Sequence, residues 1–113
     1  MRKEPITIYG DGTQGRCWVF VTDLAQGHCL AMKQAAVNQI LNLAGNEFVT
    51  VAQMVNVLSK TFGPLPIRYE PQRLGDFAGV RTSIEKARSL IGWSPATSLA
   101  DGLSRYMECV RFT

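Results

Sequence analysis

Residues 6–25 read ITIYGDGTQGRCWVFVTDLA, and this stretch decides how the chain folds. The β-branched and aromatic run Ile6–Tyr9 predicts a first strand. Gly10, Gly12 and Gly15 predict a turn, because glycine adopts a positive φ without a steric penalty. The continuous apolar run Trp18–Val21 predicts a second strand that is buried on both faces. We therefore expect a strand, a glycine turn and a second strand.

The three glycines also match the G-x-G-x-x-G pattern of dinucleotide-binding sites. In such sites the glycines open a helix that receives a pyrophosphate, and an acidic residue follows about 20 positions later. Here a strand-forming run follows instead, and no Asp or Glu occurs between Asp23 and Glu47. We therefore interpret the glycines as a turn and expect no cofactor to bind there.

Each predicted helix begins at a polar side chain that can accept a hydrogen bond from the first turn. Asp23, with Gln26 three residues later, predicts a helix over residues 23–34. Thr50 and Gln53 form the same pair before an apolar stripe that ends at Gly63. The caps expected for the remaining two helices are Ser83 and Ser98.

One further short strand and one packing aromatic are predicted from the residues alone. Residues 66–71 predict an edge strand because prolines bound it. Gly92 predicts a helix end, after which Trp93 folds back over the helix and Pro95 prevents its continuation. The fold class expected is therefore α/β, with about four short strands and four helices.

Several of these segments resemble one enzyme family. Residues 6–24 match I-x-I-Y-G-D-G-x-Q-x-R-D-F/W/Y-x-x-V-x-D-L, residues 71–76 match P-x-R-x-G-D, and residues 91–95 match L-G-W-x-P. These patterns are similar to those of the extended short-chain dehydrogenases/reductases, which include the NAD-dependent nucleotide-sugar epimerases and dehydratases. Within the family, the segment DLAQGH at 23–28 most resembles UDP-glucose (UDP-galactose) 4-epimerases. Ile40–Leu43, followed by Ala-Gly-Asn, resembles the family's Y-N-L-G strand, which implies a strand that joins a larger sheet in full-length relatives.

The resemblance implies a C-terminal fragment of an NAD(P)-binding, Rossmann-like fold. Full-length family members begin with a dinucleotide-binding half and carry a catalytic Tyr-x-x-x-Lys. This chain has neither, since Tyr9, Tyr69 and Tyr106 lack a Lys four residues later. We therefore expect residues 1–113 to be the C-terminal substrate-binding part, with NAD bound only by the full-length parent. The chain alone would be inactive, with no catalytic residue of its own.

The resemblance also implies a substrate-binding site. Arg16 and Arg73 fall on the family's diphosphate-binding positions, and Asp76 would accept a hydrogen bond from the ribose. The backbone from Thr7 to Tyr9 would lie along the uracil, and Trp18 takes the family's aromatic position. Cys17 departs from the pattern, since relatives have Asp there, and this change could loosen Arg16. Without the resemblance, both arginines would be interpreted as solvated surface residues.

Composition excludes several other classes of function. The net charge is only +3, and the basic residues are dispersed, so no nucleic-acid-binding patch is predicted. Three widely spaced cysteines favour neither a disulfide framework nor a zinc site, and a reducing cytoplasm is expected. No apolar run approaches the roughly 20 residues that span a membrane. His28, the single histidine, is interpreted as structural.

Two classes of function remain open at this point. The first is the UDP-sugar-binding part of an NAD-dependent epimerase that transfers hydride at C4, with a dehydratase or decarboxylase of the same family as a close variant. The second is a non-catalytic interaction domain derived from that family. In either case we expect self-association, because Trp18–Val21 and Ile40–Leu43 would be strands whose partners are missing.

Overall fold

The computed structural model describes residues 4–111 and confirms the α/β fold class. Its strands are β1 Ile6–Tyr9, β2 Gly15–Cys17, β3 Phe48–Thr50 and β4 Ile67–Glu70. Its helices are α1 Val21–Ala31, α2 Val51–Phe62, α3 Glu85–Ile91 and α4 Leu99–Arg111, with a 3₁₀ turn at Gln34–Ala36. β1 pairs with β4, and β2 pairs with β3.

The chain divides into two compact units. Unit 1 comprises residues 1–16 and 49–80, and unit 2 comprises residues 17–48 and 81–113, within the described range. The chain therefore passes between units inside β2, inside β3 and after Val80. Each unit is built from segments that are distant in sequence.

Unit 1 is a two-stranded parallel sheet with one helix. β1 pairs with β4 in parallel, with Ile6 opposite Ile67. Parallel neighbours need a long crossover connection, and α2 lies within the segment that joins them. Ile8 is 1% exposed and Val55 on α2 is 4% exposed, so these side chains form the buried centre of the unit.

The N-terminus of α2 is held by its own cap and by the glycine turn. The Thr50 hydroxyl accepts from the Gln53 amide, and the Gln53 side chain accepts from the Thr50 amide, which confirms the predicted capping box. The next amides of the helix donate to turn carbonyls, at 3.0 Å from Ala52 to Gly12. Gly12 has a φ of +80°, and an added Cβ would lie 3.2 Å from the Ala52 side chain.

Unit 2 is organised around Trp93. This side chain is 1% exposed, and its indole nitrogen donates to the Asp23 carbonyl at 2.8 Å. Gly92 ends α3 in the left-handed conformation, with a φ of +69°, and thereby turns Trp93 back as predicted. The buried residues packed around the indole are Ala44, Ile84, Ala87 and Ile91.

The predicted role of Asp23 as an N-cap is wrong. α1 begins at Val21, and its N-cap Phe20 makes no side-chain cap hydrogen bond. Asp23 lies in the first turn of α1 and is 7% exposed. Its carboxylate accepts from the Ala96 amide at 3.1 Å and from the Thr97 amide at 2.8 Å. It also accepts from the Thr97 hydroxyl at 3.1 Å. These donors from a distant segment take the place of the helix's own amides.

The predicted buried strand Trp18–Val21 is also wrong. β2 ends at Cys17, residues 18–20 are irregular, and Trp18 and Val21 are 47% and 68% exposed. Val21, the last residue of the run, is instead the first residue of α1. The Gly45 amide donates to the Cys17 carbonyl at 3.2 Å, and a Cβ at Gly45 would collide with the Trp18 carbonyl, so only glycine fits this close backbone approach.

Ile40–Leu43 is not a strand either. No strand lies beside this segment in the described residues, and a strand needs a hydrogen-bonded neighbour. Ile40 is 86% exposed, whereas Leu41 and Leu43 pack against the core of unit 2. In contrast, the predicted cap of α4 is confirmed, because the Ser98 hydroxyl accepts from the Asp101 amide at 3.1 Å. Ser83 lies one residue before the actual N-cap of α3, Ile84.

Candidate functional site

The predicted site residues, with the exception of Trp18, all belong to unit 1. Thr7 and Tyr9 lie on β1, and Arg16 lies on β2. Arg73 and Asp76 lie on the loop of residues 71–80 that follows β4, which we call the arginine loop. Strands therefore hold three of these five residues, and an exposed loop holds the other two.

Arg73 lies on the ring of Tyr9. Its Cζ atom is 3.6 Å from the ring centroid, which is a close stacking distance for a guanidinium. The Tyr9 ring stands at the end of β1, where the next residue, Gly10, donates to the Glu70 carbonyl at 2.9 Å. The sheet therefore holds the backbone beside Tyr9, and the Arg73 guanidinium lies against the ring of Tyr9.

Arg16 makes a similar contact with a residue that the sequence analysis did not single out. Its Cζ atom lies 4.2 Å from the centroid of the Phe77 ring. One of its nitrogens, Nη1, donates to the Gly15 carbonyl at 2.7 Å. Among the described residues, neither Arg16 nor Arg73 has a carboxylate within ion-pair distance. Both arginines thus keep an uncompensated charge on an exposed side chain.

The arginine loop connects the two stacked pairs. The Asp76 amide donates to the Arg73 carbonyl at 3.2 Å, which closes a turn, and Gln72 donates to the Asp76 carbonyl. Further along, the Gly15 amide donates to the Ala78 carbonyl at 2.9 Å. One end of the loop therefore carries Arg73, and the other end is bonded to the strand that carries Arg16.

The side chains of Thr7 and Asp76 differ in the hydrogen bonds that they make within the protein. The Thr7 hydroxyl accepts from Arg68 at 3.4 Å, and Arg68 also forms an ion pair with Glu70 at 3.1 Å. The Asp76 side chain is exposed and has no hydrogen-bond partner among residues 4–111. Of the two, Asp76 is the acceptor that is open to a ligand hydroxyl.

Trp18 lies in unit 2, and its environment there is different. It is 47% exposed in the irregular segment between β2 and α1, and its backbone carbonyl faces Gly45. The structure shows no role for its indole.

Asp11 carries the one resolved pKa shift in the described residues. The hydrogen bond from the Thr13 hydroxyl, at 2.6 Å, is the main cause that lowers the pKa of the Asp11 carboxyl, and the Thr13 amide adds to it. Asp11 is therefore ionised at neutral pH, and it ties the glycine turn together.

The glycine turn does not fit a dinucleotide. Gly10, Gly12 and Gly15 connect β1 to β2 instead of opening a helix. The nearest helix N-terminus is that of α2, whose first amides already donate to the turn carbonyls and to Thr50. A pyrophosphate would find no free amides there. The described residues also contain no cluster of three His, Cys, Asp or Glu that could hold a metal ion.

Two further features lie outside the predicted site. Unit 1 has an open cavity of about 250 Å³, lined by Ile8, Ala52, Val55, Asn56, Ser59, Ile67 and Tyr69. Ile8 lies within the Thr7–Tyr9 stretch, but Thr7, Tyr9, Arg16, Arg73 and Asp76 do not line the cavity. Within the described part of the chain, the helices are too short or too polar to cross a membrane.

Phe77 is the neighbour that the sequence analysis missed. A signal for it existed, because an aromatic residue directly follows the G-D of the arginine loop. That signal could not identify its partner, since Arg16 is distant in sequence and only the folded loop brings the two together.

Comparison with known proteins supports the family resemblance. The model of the NAD dependent epimerase/dehydratase family matches residues 1–44. UDP-glucuronic acid decarboxylase 2 of Arabidopsis thaliana is 36% identical over 104 residues, which cover 91% of this chain and 23% of that protein. The chain belongs to the NAD dependent epimerase/dehydratase family.

Solved structures of the family share the fold of this chain. UDP-glucose 4-epimerase of Thermotoga maritima, solved with UDP-glucose, has a TM-score of 0.87 at 32% identity and covers 97% of the chain. UDP-glucuronic acid 4-epimerase of Bacillus cereus, solved with UDP-glucuronic acid and NAD, has a TM-score of 0.86 at 27% identity and covers 96%. The chain spans 36% of the length of each. The expected α/β fold of the extended short-chain dehydrogenase/reductase type is confirmed.

Proposed function

We propose that this chain is the C-terminal part of an NAD-dependent UDP-sugar epimerase and binds the nucleotide sugar. The observation that carries the proposal is the pair of stacked, uncompensated arginines, Arg16 and Arg73, in unit 1. Relatives that match nearly the whole chain include proteins solved with UDP-glucose or UDP-glucuronic acid, which is consistent with this assignment.

The chemistry of the two arginines suits a diphosphate. A guanidinium offers several N–H donors in a fixed fork that matches the oxygen edge of a phosphate. Nη1 of Arg16 is engaged by the Gly15 carbonyl, which leaves its other N–H groups for a ligand. Arg73 stacks through its face on Tyr9, and this contact leaves its N–H edge available. Asp76, on the same loop as Arg73, would accept from a ribose hydroxyl.

The contribution of this chain to a reaction would be binding and positioning. In the full-length parent, NAD would accept and return the C4 hydride of the hexose. The residues of this chain would hold the UDP part of the substrate and so keep the sugar at a fixed distance from the reacting groups. We propose no catalytic residue in this chain, and we expect the chain by itself to be inactive.

A decarboxylase or dehydratase of the same family is the alternative. It is favoured by the 36% identity to a UDP-glucuronic acid decarboxylase, which is as high as the identity to the UDP-glucose 4-epimerase of Corynebacterium glutamicum. Both reactions would use the same UDP-binding residues. They would differ in the groups around the sugar, and this chain's proposed site concerns the diphosphate and the ribose.

The proposal is tested by titrating UDP into the chain and following the heat of binding. Replacing Arg16 or Arg73 with Ala should weaken binding by roughly 1.5–3 kcal/mol, the range for a hydrogen bond to a charged group. The double replacement should cost less than the sum, since both side chains act on one diphosphate. Lys at either position should restore part of the loss, because it keeps the charge without the fork.

The matched control is Arg88→Ala, which removes the same charge from an exposed helix position. Arg88 pairs with Glu85 at 2.6 Å in α3 of unit 2 and has no proposed contact with UDP. Its replacement should leave UDP affinity unchanged. If Arg16→Ala and Arg73→Ala were folded and bound UDP as tightly as the unmodified chain, the site would have to be withdrawn. A non-catalytic interaction domain would then be the better interpretation.

A further inference from the structure

Phe77 lies on the arginine loop, directly after the P-x-R-x-G-D motif of residues 71–76 and outside it. Its ring lies under the Arg16 guanidinium, 4.2 Å from Cζ to the ring centroid, although the side chain is 56% exposed. A guanidinium over an aromatic face is attracted by the ring, also at an exposed site.

The backbone of the arginine loop fixes this ring. The Ala78 carbonyl, directly after Phe77, accepts from the Gly15 amide at 2.9 Å. Gly79 has a φ of +106°, and a Cβ at this position would collide with the Gly15 carbonyl and lie 2.9 Å from Nη1 of Arg16. The loop thus approaches β2 as closely as a glycine allows, and it places Phe77 beside the arginine.

The same Arg16 guanidinium is restrained on a second side. Nη1 donates to the Gly15 carbonyl at 2.7 Å, while the Phe77 ring covers one face of the group. Two restraints of different kind hold a long side chain that would otherwise sample several rotamers. A ligand that binds the oriented guanidinium does not have to supply the conformational entropy of this ordering.

We propose that Phe77 is a positioning residue that orients Arg16 for the diphosphate of the nucleotide sugar. This inference rests on the proposed function, and it adds a residue that acts through Arg16 without touching the ligand. Phe77→Leu should weaken UDP binding about two- to fivefold, the effect of losing one exposed cation–π contact. Phe77→Trp, which keeps an aromatic face, should bind UDP like the unmodified chain.

The deciding experiment is a double-mutant cycle with UDP as the titrant. In the Arg16→Ala background, Phe77→Leu should have no further effect, because the side chain that it orients is gone. In the Arg73→Ala background it should keep its full two- to fivefold effect. An equal loss in the Arg16→Ala background would overturn the proposal, since Phe77 would then act by another route.

A ligand-free measurement makes the proposal independent of UDP affinity. In the NMR spectrum of the chain, the Arg16 side-chain protons should be shifted upfield by the Phe77 ring, and Phe77→Leu should remove the shift. Tyr106→Leu is the matched control, because Tyr106 in α4 is a ring of similar exposure, 61%, without a guanidinium over it in the described residues. It should change neither the Arg16 shift nor UDP affinity.

The outcomes separate this proposal from the proposed function. If Arg16→Ala and Arg73→Ala weaken UDP binding but Phe77→Leu does not, the role of Phe77 is refuted and the site stands. If neither arginine matters for UDP binding, the proposed function falls and this inference with it. An unshifted Arg16 resonance in the free chain would refute the positioning contact, whatever the titrations show.

Discussion

Single residues in this protein act mainly by connecting segments that are distant in sequence. Asp23 is the clearest case, because its carboxylate receives three hydrogen bonds from Ala96 and Thr97. A buried carboxylate with this many donors is stabilised by them, and the donors in turn lose their partner if it is changed. The aspartate of the D-L motif thus has a structural role in unit 2.

We predict that Asp23→Asn destabilises the chain. The amides of Ala96 and Thr97 both donate to Oδ2, and an Asn oxygen at that position would accept them without the negative charge that strengthens such hydrogen bonds, at a cost of about 1–2 kcal/mol. Urea unfolding followed by circular dichroism would measure the loss. Glu85→Gln is the control, because it breaks only an exposed ion pair worth about 0–1 kcal/mol. Equal midpoints for Asp23→Asn and the unmodified chain would contradict the role.

At the scale of the element, local sequence rules decide the helices better than the strands. The capping box at Thr50, the cap at Ser98 and the glycine end of α3 all form as the sequence predicts. These signals involve residues within one turn of each other, so the local chain contains all the partners. The strands need neighbours elsewhere, and two of the predicted strands do not exist.

We predict that Thr50→Ala destabilises the chain by about 1 kcal/mol, because α2 loses the hydroxyl that accepts from Gln53. Thr50→Ser, which keeps the hydroxyl, should be close to neutral. The control on the same helix is Thr61→Ala, since the Thr61 hydroxyl only donates back to the Val57 carbonyl at 2.9 Å. Thermal unfolding of the three variants in parallel checks this. A Thr61 effect as large as that of Thr50 would argue against the cap.

At the scale of the whole molecule, the sheets are small for a protein of this class. Parallel sheets are normally covered on both faces, and two-stranded sheets are marginally stable by themselves. The β1–β4 sheet has two strands, and Ile67 and Tyr69 on β4 are 43% and 59% exposed. Trp18–Val21 and Ile40–Leu43 are not strands and no longer support self-association. The exposed strand β4 supports it instead.

We predict that the chain self-associates through β4. Sedimentation velocity over a range of concentrations should show a rising mass, because an exposed apolar strand edge pairs with other chains. Ile67→Lys should reduce the association, since charge at an edge opposes pairing. Val37→Lys adds the same charge at a side chain of similar exposure, 52%, outside β4 and should have little effect. A stable monomer at high concentration would disprove the prediction.

The sequence by itself determined the α/β class, the helix caps at Thr50 and Ser98, the glycine turn and the family. It did so because helix caps, glycine turns and motif spacings depend on residues close together in the chain. It also placed both arginines on the positions proposed for the diphosphate, although that role remains a prediction.

Only the tertiary structure decided where chain segments meet. Val21 became the first residue of α1 and not the end of a strand, and the buried Asp23 carboxylate accepts from residues 96–97, which are distant in sequence. The contact of Phe77 with Arg16 could not be read from the motifs, because it depends on the close approach that Gly79 permits. Contacts between distant residues depend on how whole segments pack, and local sequence patterns therefore do not predict them.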